Sequence, residues 1–180
     1  MKKLVLALAL IGAIAAPPVV MAADVLTPEA ADTLAFMREE EKLAHDVYAL
    51  FETLYPASAP GANVFGRLAE SESRHTEAVR KLLVTYGLTD PAQPEPGVFL
   101  NADLQALYDS LAASGSQGLA QALAVGVVIE EKDITDLVAA IEVSVAYADV
   151  VQVYSNLLSG SESHLAAFLK TLARPSLTKK

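Results

Sequence analysis

The chain has 180 residues, a length that suits one domain with a substantial buried core. Its 22 acidic and 13 basic residues argue against binding to nucleic acid or to an anionic membrane surface. Because it contains no cysteine, disulfides, thiolate chemistry, iron–sulfur clusters and cysteine-based zinc sites are excluded, so any metal must be held by carboxylates and the three histidines.

The first residues have the pattern of a secretory signal peptide. Lys2 and Lys3 precede an apolar run over residues 4–16, and small residues follow. This pattern predicts cleavage after Ala22, with Ala23 as the alternative. An uncleaved membrane anchor is disfavoured because the apolar run is short for a membrane span.

The predicted organisation is a signal peptide over residues 1–22 and a single domain over residues 23–180. We therefore expect a periplasmic or secreted protein that has no membrane attachment once the signal peptide is removed.

The first long helix is predicted from Pro28 to about Tyr55. Thr27 is a suitable N-cap, and proline is favoured at the first helical position. The prolines and glycine of residues 56–61 end the helix. Two apolar seams run along it; one consists of Leu34, Met37, Glu41, Ala44, Tyr48, Phe51 and Tyr55, and the other of Phe36, Glu40, Leu43, Val47, Leu50 and Leu54.

Four further helices are predicted in the rest of the chain. Their expected bounds are about Asn63 to Tyr86, about Ala102 to Ala113 for a short helix, about Gln117 to Glu142, and about Tyr147 to Leu172. Gly87 is a natural C-cap, and the three prolines of residues 90–97 exclude a helix between the second long helix and the short one.

The order of these elements predicts an all-α fold. Short connections within each pair of long helices and a long connection between the pairs are typical of an up-down four-helix bundle with one crossover, the ferritin-like arrangement. The crossover contains the short helix, together with Phe99 and Tyr108. It either covers the bundle or offers a surface for a homodimer.

Several ionisable residues occupy positions where a bundle core requires apolar side chains. On the second helix, Glu72 and His75 share the buried stripe at a spacing of i and i+3, so both can reach one ion. On the third long helix, with Lys132 taken as the outward direction, Glu130 falls in the core stripe. Glu131 and Asp133 lie on its two flanks.

The other two long helices each contribute one ligand candidate. His164 lies on the stripe of the last helix, and Glu41 lies on one seam of the first, beside the small residue Ala44. Glu40, on the other seam, is the rival to Glu41. His45 lies at the edge of its seam and is interpreted as structural.

Each candidate also has a purely structural interpretation. Core histidines are often hydrogen-bonded structural residues, and residues 39–41 and 71–74 could be solvated charge clusters. The joint pattern favours a metal, because several buried carboxylates without a cation would repel one another. Glu41, Glu72, His75, Glu130 and His164 are the predicted metal ligands.

The same residues carry a resemblance to the rubrerythrin-like members of the ferritin-like superfamily. The string from Glu41 to Tyr48 is similar to their first-helix pattern E-x-x-A-x-x-x-Y, and Leu68 to His75 resembles their second-helix E-x-x-H segment. The strings over residues 127–134 and 159–168 resemble a poorly characterised branch of that superfamily, and the likeness spans about residues 26–172.

The resemblance implies a carboxylate-bridged di-iron or di-manganese centre, with zinc as a further option. Position by position, it assigns ligand roles to the five residues already named. Ser161 departs from the pattern, because a glutamate is expected there and Glu162 lies off the face. A single ion, an asymmetric pair, or completion by water or Asp133 therefore remain alternatives.

Two functions follow from this interpretation. The first is a non-haem iron oxidase or peroxidase that reacts with O2 or peroxide, with Tyr48 near the metal and Tyr154 or Tyr108 as alternatives. Without cysteine no rubredoxin-like module is possible, so electrons would come from an external donor. The second is a non-catalytic bundle that stores or senses metal or binds a protein partner. A hydrolase is disfavoured, because the serines beside His75 and His164 adjoin them on one helix, and such neighbours do not form a nucleophile–base pair with an orienting acid.

Overall fold

The computed structural model describes residues 25–174, which form five helices and no strand. The helices are α1 (Pro28–Leu54), α2 (Val64–Thr85), α3 (Ala102–Gly115), α4 (Leu119–Val143) and α5 (Ala148–Leu172). The prediction of an all-α fold is confirmed, and every predicted helix is present within about two residues of its expected bounds. The predicted signal peptide, residues 1–22, lies outside the described residues. Within residues 25–174 no helix combines the length and apolarity needed to cross a membrane.

The helix ends follow the local signals in the sequence. At the start of α1 the Thr27 hydroxyl accepts a hydrogen bond from the N–H of Ala30, at 3.2 Å. At the end of α2, Gly87 adopts a positive φ of 67°, which glycine tolerates without a steric penalty. The N–H of Leu88 then donates to the carbonyl of Leu83 at 2.8 Å, so α2 ends as a C-cap glycine predicts.

The four long helices pack in a closed ring of contacts. α1 packs against α2 and α4, and α5 packs against α4 and α2, while the short helix α3 lies against α1 and α4. The chain order thus brings all four long helices to a common interior.

That interior has a polar layer between two apolar halves. Each long helix contributes to two apolar clusters, one containing Phe51, Phe65 and Phe168 and the other Leu34 and Leu83. Along each of these helices, residues 39–42, 72–75, 130–133 and 161–164 lie between the segments that form the two clusters. Apolar packing on both sides therefore encloses the positions that the sequence analysis marked as ionisable.

Charged residues of α1 hold the crossover in place. The Glu39 carboxylate accepts hydrogen bonds from the N–H groups of Leu100, at 2.6 Å, and Asn101, at 3.1 Å. The Lys42 ammonium donates to the carbonyl of Glu95 at 3.0 Å. Phe99 is only 7% exposed, so this segment covers the helices beneath it.

Asp46 is the second anchor of the crossover. Its carboxylate accepts hydrogen bonds from the Lys42 ammonium at 2.5 Å, from the N–H of Gly97 at 2.8 Å and from His45 Nδ1 at 2.9 Å. Burial by itself favours the protonated acid, but the donors His45, Lys42 and Gly97 outweigh it and lower the pKa of Asp46. His45 thus has a structural contact, as its position at the seam edge indicates.

We predict that Asp46→Asn destabilises the protein by about 1.5–3 kcal/mol at neutral pH, because hydrogen bonds to a charged acceptor are lost. Since the pKa of Asp46 is lowered in the folded state, its contribution is complete above the ordinary aspartate pKa. It disappears as the pH falls through the folded value. Urea unfolding of both proteins between pH 7 and pH 2 measures this difference.

The control is Glu70→Gln, which removes the partner of Arg74 in an ion pair whose side chains are 78% and 65% exposed. Such pairs contribute little to stability. A gap between wild type and Asp46→Asn that stays constant down to pH 2 would contradict the anchoring role of the Asp46 charge.

Candidate metal centre

The five predicted ligands lie together in the polar layer. Glu41 comes from α1, Glu72 and His75 from α2, Glu130 from α4 and His164 from α5. The three carboxylates are at most 1% exposed and His164 is 6% exposed, while the His75 side chain is 13% exposed. The spacing of i and i+3 on α2 places Glu72 and His75 on one face, as the helical period requires.

One group of ligand atoms is formed by Glu41, Glu72 and His75. His75 Nδ1 lies 2.8 Å from Glu72 Oε2 and 3.2 Å from Glu41 Oε2. The candidate ligand atoms of all three residues lie within 4.8 Å of one another. Two carboxylates and one imidazole thus converge on a space that suits one cation.

A second group is formed by Glu72, Glu130 and His164, again with ligand atoms within 4.8 Å of one another. His164 Nδ1 lies 2.6 Å from Glu72 Oε1 and 3.6 Å from Glu130 Oε1. Glu72 therefore belongs to both groups, with Oε2 facing His75 and Oε1 facing His164. A carboxylate in this position can bridge two ions.

Several atoms of the site lack the hydrogen bonds that burial demands. Glu41 Oε1, Glu72 Oε1 and His164 Nδ1 have no hydrogen-bond partner among the described residues. Although Glu72 Oε1 and His164 Nδ1 are close, their geometry is not that of a hydrogen bond. Unpaired buried polar atoms are costly, and a cation that they share would remove that cost. The donor set therefore fits a metal centre.

The charges in the metal-free site are arranged around Glu72. Burial favours its neutral form, but His164 and His75 outweigh this effect and lower the pKa of Glu72 to about 2. Burial opposes the charging of the two histidines as well. Even so, the carboxylates of Glu41 and Glu72 raise the pKa of His75 to about 10, and those of Glu130 and Glu72 raise the pKa of His164 to about 9. Protonated histidines thus supply the positive charge that this cluster requires.

The outer carboxylates are less well compensated. Burial and the nearby Glu72 carboxylate raise the pKa of Glu41 to about 8, against the opposing effect of His75. Burial is also the main cause of the raised pKa of Glu130, whose Oε1 accepts a hydrogen bond from the Tyr48 hydroxyl at 2.6 Å. Tyr48 is completely buried, and through this hydrogen bond the predicted catalytic tyrosine contacts one of the predicted ligands.

Glu40, the rival candidate for the first-helix ligand, is directed away from both groups. It is buried, but its Oε1 accepts a hydrogen bond from the Lys132 ammonium at 2.6 Å. Lys132, predicted to face outward from its helix, is half-buried and also pairs with Asp136. The structure therefore brings Glu41, and not Glu40, into the two groups of ligand atoms.

Two contacts of the site were not found from the sequence. Asp133 is buried and its Oδ2 accepts a hydrogen bond from Ser161 Oγ at 2.5 Å. Ser71 Oγ lies 3.0 Å from His164 Nε2 and fixes the orientation of that ring. The position of Asp133 on the flank of the core stripe, three residues after Glu130, indicated that it could lie near the site. No feature of the sequence indicated the contact between Ser71 and His164.

Gly160 on α5 allows the His75 ring to approach closely. A Cβ atom at this position would lie 2.6 Å from both Cε1 and Nε2 of His75. The His75 ring also stacks on the His164 ring, with centroids 5.4 Å apart and an interplanar angle of 19°. Only a residue without a side chain leaves this space for His75.

Comparison with known proteins places the chain among proteins of similar length. A family model described as "Uncharacterized protein domain (DUF2202)" matches residues 30–177. The uncharacterized protein MJ0754 of Methanocaldococcus jannaschii is 40% identical over 148 residues, which cover 82% of this chain and 77% of that protein. The crystal structure of the hypothetical protein MJ0754 from Methanococcus jannaschii DSM 2661 matches with a TM-score of 0.77 and 35% identity, over 89% of this chain and 85% of that one.

We predict that Gly160→Ala displaces the His75 ring and destabilises the protein. Overpacking costs about 1–3 kcal/mol, which exceeds the gain of about 0.5–1 kcal/mol from replacing a helical glycine. Urea unfolding measures the loss of stability, and the ring proton resonances of His75 report its displacement.

Gly66→Ala on α2 is the matched control, because its new methyl group would meet only the carboxylate end of the exposed Glu52 side chain, which can swing aside. Equal stabilisation by both substitutions, with the His75 resonances unmoved, would contradict the close packing of His75 on α5.

Proposed function

We propose that this chain, which belongs to the DUF2202 family, is an exported ferritin-like protein that holds two metal ions and reacts with O2 or peroxide. The observation that carries the proposal is the shared carboxylate of Glu72, which joins two groups of buried ligand atoms. The closed ring of contacts among α1, α2, α4 and α5 supports the ferritin-like four-helix arrangement. Export rests on the signal-peptide pattern of residues 1–22.

The chemistry of the donors favours iron. Carboxylate oxygens and imidazole nitrogens suit iron, manganese and zinc, whereas Cu(I) prefers sulfur ligands, which the site does not offer. Five ligand residues for two positions provide few donors per ion. Such a set leaves room for water or a small substrate, which a purely structural zinc site would not.

Bound iron would supply the one-electron chemistry that reduces O2 or peroxide, and a separate protein or small-molecule donor would return the electrons. The chain itself positions the ligands and excludes bulk water. Ser71 fixes the ring of His164 from the side opposite Nδ1, and Tyr48 holds the carboxylate of Glu130. The apolar clusters on either side limit the access of solvent to these groups.

Tyr48 is the residue best placed to donate a hydrogen bond during the reaction. Its hydroxyl contacts Glu130, and burial together with the Glu130 and Glu72 carboxylates raises the pKa of Tyr48 well above its ordinary value. The phenol therefore stays protonated and donates its hydrogen bond to Glu130.

The second candidate is a non-catalytic protein that stores or senses metal at the same residues. The burial of the ligands favours this alternative, because exposures of 6% or less for four of the five residues restrict the entry of a substrate. Both candidates require the same metal centre and differ in whether bound Fe(II) is oxidised rapidly.

We predict that the wild-type protein binds two Fe(II) ions under anaerobic conditions. Glu72→Gln should weaken both binding steps, since both groups of ligand atoms contain this carboxylate. Glu41→Gln and Glu130→Gln should each weaken only one step. Calorimetric titration gives the affinities, and elemental analysis after desalting gives the number of retained ions.

Glu40→Gln is the matched control, because Glu40 is as buried as the ligands but pairs with Lys132. It should retain both ions. Retention of two ions by Glu72→Gln, or equal losses in Glu40→Gln and Glu41→Gln, would refute the assignment of the ligands.

We also predict that Tyr48→Phe slows the oxidation of bound Fe(II) by about 10- to 100-fold while leaving two ions bound, as expected for the loss of a hydrogen bond that orients the Glu130 carboxylate. Mixing the anaerobically loaded protein with O2 or peroxide and following the near-ultraviolet absorbance of Fe(III) measures this rate.

Tyr154→Phe serves as the control and should oxidise bound Fe(II) at the wild-type rate. Tyr154 is also a buried tyrosine, but its hydroxyl has no hydrogen-bond partner among the described residues. If the wild-type protein binds two ions and oxidises neither faster than free Fe(II), the non-catalytic candidate replaces the enzymatic one.

A further inference from the structure

Asp133 is a buried acid next to the two groups of ligand atoms. It follows Glu130 on α4 by three residues, a spacing that places both side chains on the same side of the helix. Asp133 is 5% exposed, although it lies between Lys132 and Ile134, which are more accessible. An acid at this depth requires a partner that explains its burial.

The contacts of Asp133 do not provide a full set of partners. Ser161 Oγ, on α5, donates a hydrogen bond to Oδ2, and Oδ1 has no partner among the described residues. No ion pair over residues 25–174 neutralises its charge. A neutral serine is a weak compensation for a buried carboxylate, so one oxygen of Asp133 remains available.

The surrounding charges place Asp133 beside both groups of ligand atoms. Burial has the largest effect on the pKa of the Asp133 carboxyl group, and it raises that pKa. The Glu41, Glu130 and Glu72 carboxylates raise it further, while the hydrogen bond from Ser161 lowers it. Together they raise the pKa of Asp133 well above its ordinary value. Asp133 forms no ion pair with a histidine over residues 25–174, whereas Glu41, Glu72 and Glu130 each lie beside one.

The packing around Asp133 is incomplete on one side. Asp133 lines a cavity of about 20 Å³ with Glu40 and with apolar residues of α1, α3 and α4, among them Leu111 and Ile129. That volume accommodates about one water molecule, so the Asp133 side chain is not packed tightly on this side.

We propose that Asp133 is a sixth ligand of the metal centre, released from Ser161 when metal binds. This inference rests on the proposed function. The ligand atoms of each group lie within 4.8 Å of one another, and Asp133 belongs to neither group while it contacts Ser161. Rotation of its side chain brings a fourth carboxylate to the site and pairs the orphaned Oδ1 with a cation. Ser161 acts as a positioning residue in the metal-free protein.

The proposal also assigns a function to the serine on α5. Ser161 is completely buried and precedes His164 by three residues, the same spacing that Glu72 and His75 have on α2. A carboxylate at position 161 would therefore reach the site from α5. In this chain the carboxylate comes from α4, and the serine leaves it room.

The test is an anaerobic titration of the full-length protein with Mn²⁺, followed by calorimetry, on wild type, Asp133→Asn and Glu131→Gln. Glu131 is an exposed acid two residues away on the same helix and provides the matched control. We expect Asp133→Asn to weaken one of the two Mn²⁺ binding steps by more than about 10-fold. Residues that only orient a ligand typically change metal affinity by about 10- to 100-fold, so the loss of a ligand should cost at least the lower of these values. Glu131→Gln should bind as wild type does.

The double variant Asp133→Asn/Ser161→Glu distinguishes a ligand from a residue that merely supports the fold. It returns one carboxylate to the site from α5, so it should recover wild-type affinity to within about 10-fold. Wild-type affinity for both ions in Asp133→Asn would overturn the proposal. If wild type itself binds no Mn²⁺ or Fe(II), the proposed function fails first, and that result is visible without any variant.

A crystal structure of the wild-type protein grown with Mn²⁺ requires no variant to fold. Anomalous scattering locates the ions, and an Asp133 oxygen at coordination distance from one of them supports the proposal. An Asp133 carboxylate that still contacts Ser161, with both ions bound by the other five residues, overturns it.

Discussion

The structure depends most on the placement of one carboxylate, that of Glu72, between two histidines. Its oxygens lie 2.8 Å from His75 Nδ1 and 2.6 Å from His164 Nδ1, in an interior where an unpaired charge would destabilise the fold by several kcal/mol. The ion pair with His164 joins α2 to α5, and the one with His75 lies within α2. The apolar clusters on the two sides of the layer strengthen these interactions, since they keep the site at low polarity.

Three consecutive acids on α1 contact three different parts of the structure. Glu39 binds the backbone of the crossover, Glu40 pairs with Lys132 of α4, and Glu41 faces His75 of α2. Successive residues point about 100° apart, so each side chain meets a different neighbour. The same short segment therefore holds the crossover against the helices, fixes α1 against α4 and contains a predicted ligand.

Helical periodicity predicts which residues of each helix face the core. It does not predict the contacts of the residues beside those core stripes, such as Asp133 and Lys132. Glu72, His75, Glu130 and His164 are recognisable in the sequence because each interrupts an apolar stripe of its helix. In the structure all four side chains lie in one layer. Periodicity predicts which face of a helix is buried, yet it does not fix the rotation of α4 relative to α1 and α5. That rotation buries Asp133 against Ser161 and turns Lys132 towards Glu40. Periodicity alone did not separate Glu40 from Glu41, since both occupy seams, and the preference for Glu41 rested on the small residue Ala44 beside it.

The central claim is that Glu72 holds two ions close together, and the electron paramagnetic resonance spectrum of the Mn²⁺-loaded protein tests it most directly. Ions that share a carboxylate lie about 3.5–4 Å apart, close enough for their spins to couple. We predict a spectrum of coupled Mn²⁺ pairs that develops as the second equivalent is added. A spectrum of isolated Mn²⁺ ions at saturation would contradict the shared site.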